Sequence, residues 1–141
     1  FNLIIFFEKL KKIKAITKIK KIFLEKFFFA KIPISKTNIK IKNKCISFEN
    51  LKINETMPII KNCDLYIGND TGWLHISSAL NIKCLALFMD SPVQAYGKYS
   101  KNIETILPEG ETEETTTHDT LGAEKISFEK VFNKSIYLLT N

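Results

Sequence analysis

The chain has 141 residues, a hydrophobic fraction of 45% and a mean hydropathy near zero, which is the make-up of one globular domain and excludes extended disorder. Its net charge of +6 comes from lysine alone, with no arginine among the 21 basic residues. The bidentate contacts expected of a nucleic-acid reader are therefore missing, and no nucleic-acid partner is expected. Three cysteines, Cys45, Cys63 and Cys84, form neither a Cys-x-x-Cys pair nor a zinc pattern, so a reducing, cytoplasmic setting with inert thiols is expected. The best apolar run, residues 22–34, is broken by Glu25, Lys26 and Lys31, short of the roughly 20 apolar residues of a spanning helix.

Taken in chain order, residues 2–7 suit a short buried strand. From Phe6 to Phe23 the apolar positions Phe6, Leu10, Ile13, Ile16, Ile19, Ile22 and Phe23 recur at helical spacing between lysines, which predicts an amphipathic basic helix. Phe27, Phe28 and Phe29 suggest a second strand at 26–30. A loop follows from Pro33 to residue 44, then a short strand at 45–48. Asn54 suits the N-cap of a helix over 55–62, with Pro58 in its first turn. A strand at 64–68, a helix at 72–80 and a strand at 84–88 come next. Alternation on connections this short predicts an α/β, Rossmann-like parallel sheet flanked by helices. Past Pro92 there is a turn at Tyr96 and Gly97, a strand at 103–107 and an acid- and threonine-rich loop at 109–122. A final helix over 127–139 is capped by Ser127, with Lys130 where a capping box would carry Glu.

The stretch that carries chemistry is Gly68-Asn69-Asp70-Thr71-Gly72, leading from a strand into a helix that opens Trp73-Leu74-His75. The first turn of a helix leaves N–H groups unpaired and holds the positive end of the helix dipole, so a phosphate placed there gains hydrogen bonds and charge complementarity together. Thr71 adds a hydroxyl beside the N–H groups of Gly72, Trp73 and Leu74. Asp70 suits a helix cap or sugar hydroxyls but opposes a phosphate lying over it. His75, one turn beyond Thr71, can lean back toward the same mouth. An ordinary capped helix after a strand is the bland alternative.

With Asp64-Leu65-Tyr66-Ile67 before the turn, Ser77-Ser78-Ala79-Leu80 after it, and Leu85-Ala86-Leu87-Phe88 followed by Pro92 and Tyr96-Gly97, residues 64–99 resemble the nucleotide-binding signature of family 9 glycosyltransferases, the ADP-heptose:lipopolysaccharide heptosyltransferases. The resemblance implies the C-terminal half of a GT-B enzyme, which holds a nucleotide-sugar donor (ADP-heptose-like) for transfer to a lipid A-core acceptor. It implies inversion at the anomeric centre, without metal or other cofactor, by a carboxylate base in the N-terminal half. Thr71, Gly72 and the backbone at Trp73 would hold the diphosphate, and Asp70 and His75 would approach sugar or phosphate. No catalytic base is expected within these 141 residues, and a chain beginning at Phe1 reads as a fragment of something longer. Trp73 is bulkier than the residue usual after that glycine, and Met89-Asp90-Ser91 replaces the customary glycine-threonine stretch.

Residues 1–44 hold 13 Lys against 2 Glu, whereas residues 45–141 hold 8 Lys against 13 acids. This division separates a divergent basic region, 1–44, from a nucleotide-sugar-binding core with the C-terminal helix, 45–141. A solvated lysine face is the plain reading of the basic helix, and peripheral contact with the inner membrane is the functional one. The loop at 109–119 reads as exposed or as ordering over the acceptor. His118 beside Asp119 lacks a partner at ligand spacing, Trp73 reads as a lid or packing residue, and Cys63 and Cys84 as core. A catalytically inactive nucleotide-binding module and a peripheral membrane adaptor are the competing functions.

Overall fold

The computed structural model describes residues 5–7 and 51–141. The expected basic helix, the strands at 26–30 and 45–48, and Cys45 lie outside the described residues. The elements in chain order are β1 (Ile5–Phe7), α1 (Ile53–Lys61), β2 (Leu65–Asn69), α2 (Gly72–Ala79), β3 (Lys83–Leu87), α3 (Val93–Tyr96), β4 (Ile103–Ile106), a 3-10 turn (Gly122–Lys125) and α4 (Phe128–Thr140).

The four strands form one sheet in the order β1-β2-β3-β4. β2, β3 and β4 run parallel, with Tyr66 opposite Cys84 and Cys84 opposite Ile103. β1 departs from the expected all-parallel sheet: it pairs antiparallel with β2, Ile5 opposite Ile67 and Phe7 opposite Leu65. An apolar run does not encode its own direction, and an antiparallel edge on a parallel sheet is a common arrangement.

Strand periodicity of two divides the core between the two faces. Leu65, Ile67, Leu85, Leu87 and Ile106 meet Val131, Phe132 and Leu138 of α4 on one side. On the other, Tyr66, Cys84, Ala86 and Ile103 meet Ile60 of α1, Leu74 of α2 and Val93 of α3, with Phe88 beside them. Because both faces are covered, β2 is buried at Leu65, Tyr66, Ile67 and Gly68 in succession, the unbroken apolar pattern of a parallel strand between helix layers. The result is a small α/β unit of three parallel strands flanked by helices, consistent with a Rossmann-like arrangement.

Element ends differ from expectation at α1. The helix begins at Ile53 with Lys52, not Asn54, in the cap position. Glu55 reaches back to accept the Lys52 N–H at 2.8 Å, so the third helical residue satisfies a donor that the cap side chain does not. Pro58 is then the sixth helical residue, beyond the first turn, and the Asn54 carbonyl lacks its usual donor on an exposed face. α2 ends through Asn81, whose positive φ of 64° turns the chain into β3 while its N–H bonds the Ser78 carbonyl. At α4 the expected cap holds: Ser127 accepts the Lys130 N–H.

Candidate functional site

At the carboxyl ends of β2 and β3 the chain leaves the sheet through residues 69–72 and 88–92, and a cleft of about 470 Å³ opens between them. This is the end at which open α/β sheets bind ligands. Its wall includes Asn69, Asp70 and Thr71 from the first turn, Asp90 and Ser91 from the second, Tyr96 of α3, and His118 of the long loop.

Tyr66 holds the first turn from beneath. Its ring is fully buried, and its hydroxyl donates to the Asn69 carbonyl at 3.1 Å and lies 3.5 Å from Thr71 Oγ1. Burial pushes the phenol up to about 12, against a smaller opposing effect of the Thr71 hydrogen bond, so Tyr66 stays neutral and serves as a tether. Thr71, with extended backbone, occupies the N-cap position of α2 and makes no side-chain cap bond. Asp70 is therefore not the capping residue suggested by the sequence. Its largely buried carboxylate turns instead toward His75, with Oδ1 3.4 Å from Nε2 and no hydrogen bond to that oxygen. The His75 ring does lean back one turn, and its Nδ1 lies 2.6 Å from the Tyr99 hydroxyl.

The Leu74 N–H folds onto the Thr71 carbonyl at 2.9 Å, so it is not one of the donors left for an anion. Gly72 and Trp73, at the first two helical positions, have no acceptor one turn earlier within the helix. A Cβ built on Gly72 would meet nothing within 4 Å. The Trp73 side chain packs against the core cluster beneath α2, which favours the packing reading over a lid. Gly72, Trp73 and His75 thus follow the cleft wall along α2, whereas Asp70 and Thr71 form part of it.

The long loop folds back on the same rim. Glu113 pairs with Lys98 and accepts from Gln94 at 3.3 Å, Thr116 is buried with its hydroxyl on the Thr112 carbonyl at 2.7 Å, and the Gly122 N–H bonds the Met89 carbonyl at 2.8 Å. These ties carry exposed His118 into the cleft wall beside residues that are remote from it in sequence. Asp90 and Ser91 were detectable in principle as the first polar residues after a buried strand, but nothing local marks His118. Cys84 is fully buried and its thiol is pushed up to about 12 by burial, as core status requires. Cys63 is only half-buried, its thiol donating to the Ile59 carbonyl at 3.3 Å, because it lies at the end of α1 before β2 begins.

Chemically, two carboxylates and the hydroxyls of Thr71, Ser91 and Tyr96 suit a polyhydroxylated ligand in the cleft, while an anion is better placed at the N-terminus of α2. Among the described residues no group of three or more His, Cys, Asp or Glu side chains could hold a metal ion, and no helix is long and apolar enough to cross a membrane.

Lipooligosaccharide heptosyltransferase 2 of Campylobacter jejuni subsp. jejuni serotype O:6 (strain 81116 / NCTC 11828) is 40% identical over 55 residues, 39% of this chain and 16% of that protein. The chain thus aligns with only a small part of that relative. No solved structure matches it. The model of glycosyltransferase family 9 (heptosyltransferase) matches residues 45–125, which include both turns, the cleft and the loop that carries His118, and the chain accordingly belongs to that family.

Proposed function

We propose that this chain is the donor-binding part of a GT-B heptosyltransferase, its C-terminal half, with an ADP-sugar held at the carboxyl ends of β2 and β3. The observation that carries this reading is the cleft wall Asp70-Thr71 running directly into α2, whose first two N–H groups lack intrahelical acceptors. Thr71, Gly72 and Trp73 would take the diphosphate, while Asp70 and His75 would face the sugar or its adjoining phosphate. In the transfer, an acceptor hydroxyl attacks the anomeric carbon from the face opposite the diphosphate. The carbon–oxygen bond to ADP breaks with inversion, and the hydroxyl proton passes to a carboxylate in an N-terminal half outside this sequence. The charge appearing on the departing ADP would meet the positive end of α2, which needs no metal. Residues 45–141 would form the nucleotide-sugar unit and residues 1–44 a basic extension of it. The acceptor would be a lipid A core at the cytoplasmic side of a membrane.

Calorimetry with ADP tests the site. Gly72→Val should abolish binding in a folded chain, because a Cβ at this position meets no atom within 4 Å and the side chain enters the space over the first helical turn. Thr71→Val should weaken ADP by about 1 to 2 kcal/mol, the scale of one hydrogen bond to a charged group. Asp70→Asn should affect transfer, once the other half is supplied, more than it affects ADP affinity. If all three variants bind like the parent, residues 70–72 are a structural turn and the donor site lies elsewhere.

A further inference from the structure

We propose that Tyr99 is a positioning residue for the turn at residues 70–75: its hydroxyl donates to Nδ1 of His75 and so holds Nε2–H of that ring toward the Asp70 carboxylate. The Asp70 Oδ1 oxygen faces Nε2 at 3.4 Å and has no hydrogen-bond partner. A lone pair on Nε2 would repel the carboxylate, so this nitrogen must carry the proton. In the neutral ring Nδ1 is then an acceptor. The group 2.6 Å from Nδ1 is the Tyr99 hydroxyl, which can donate to it.

Tyr99, His75 and Asp70 therefore lie in line: the Tyr99 hydroxyl donates to Nδ1, and the opposite N–H of the ring faces the Asp70 carboxylate. Partial burial raises the Tyr99 phenol above its ordinary range, so it keeps the proton that it donates. The rings of His75 and Tyr99 are tilted by 36° with centroids 5.5 Å apart, so the contact is not a parallel stack, and the hydroxyl is the atom that makes the hydrogen bond to the imidazole.

The consequence for the site rests on the donor reading above. Asp70 opposes a phosphate, and a ring N–H directed at one of its oxygens reduces that opposition while leaving the other oxygen for a ligand hydroxyl. Tyr99 touches neither ligand nor reacting atoms in this scheme. Its action passes through His75.

The test is the side-chain ¹⁵N spectrum of the neutral histidines in the full 141-residue chain, followed by ADP titration. In the parent, His75 should show Nε2–H with a hydrogen-bonded acceptor Nδ1, whereas exposed His118 should show tautomers in exchange. Tyr99→Phe, which keeps the ring, should move the His75 Nδ1 resonance to that of a nitrogen without a donor partner and weaken ADP about fivefold, the scale of one hydrogen bond. A proton on Nδ1 in the parent, or a His75 spectrum identical in Tyr99→Phe, overturns the proposal. If the parent binds no ADP, the donor reading fails while the spectra still decide the role of Tyr99.

Discussion

Removing one buried hydroxyl separates the tether beneath the turn from the turn itself. Tyr66→Phe keeps the ring in the core and deletes the donor to the Asn69 carbonyl, so the folded chain should lose about 1 kcal/mol at neutral pH, measured by urea denaturation. The pH dependence has a definite sign. The folded phenol is raised from 10.0 to about 12, so its neutral form is favoured by folding; that contribution is complete below pH 10 and disappears as the pH climbs to about 12. Stability should therefore fall more steeply in the parent than in Tyr66→Phe across this window. Cys84 acts in the same sense in both proteins, from 9.0 to about 12. At this scale the sequence showed the turn and its helix, because a glycine-bearing turn after an apolar run is a local pattern. The link from Tyr66 to Thr71 was not legible, since it depends on how the strand end bends over its own residue three positions back. The turning of Asp70 from cap to His75 was hidden for the same reason: both acceptor and donor are local, but the choice between them is made in three dimensions.

Elements were legible where their signal was a cap or a buried run. Ser127 marked the start of α4, and Ser127→Ala should cost about 1 kcal/mol by removing the acceptor for the Lys130 N–H, read as a lowered denaturation midpoint with unchanged cooperativity. α1 begins two residues before the start that Asn54 suggests, because Asn54 is the better capping side chain in isolation whereas Glu55 satisfies the Lys52 N–H. The loop after β4 is legible as a loop from its acid- and threonine-rich composition, but its anchorage is not, since Gly122 offers no pattern. That glycine packs against Pro108, where an added Cβ would come within 2.7 Å of the proline Cβ and 3.1 Å of the Met89 carbonyl oxygen. Gly122→Ala should thus loosen the return of the loop onto Met89 and displace His118 from the cleft wall. Faster amide exchange at Gly122 and heightened proteolysis within residues 109–121, with the sheet still protected, would be its signature.

For the whole molecule, the unequal charge of residues 1–44 and 45–141 is a statement about surroundings more than about fold. If the basic segment lies against an anionic leaflet, replacing Lys11, Lys12, Lys18 and Lys21 by Gln should weaken vesicle binding in a salt-dependent manner, by up to about 1 kcal/mol per lysine. Cosedimentation with anionic vesicles at two ionic strengths measures it, and unchanged binding would leave the lysines as a solvated face. The parallel core was legible from alternating strands and helices on short connections. The direction of β1 was not, because a three-residue apolar strand pairs equally well either way and only the path of the intervening chain decides.

Parallel strands also sort the molecule into two rims. β2, β3 and β4 all point the same way, so the turns leaving them gather every cleft residue on one rim. The connections entering β3 and β4, at Asn81 and Asn102, belong to the other. Those connections are joined to each other by the Asn102 amide on the Asn81 side chain at 2.8 Å, with exposed Lys101 beside them. A fluorophore attached at Lys101→Cys would therefore report the unfolding of the sheet from a place where it obstructs nothing in the cleft, a reporter position set by strand polarity alone.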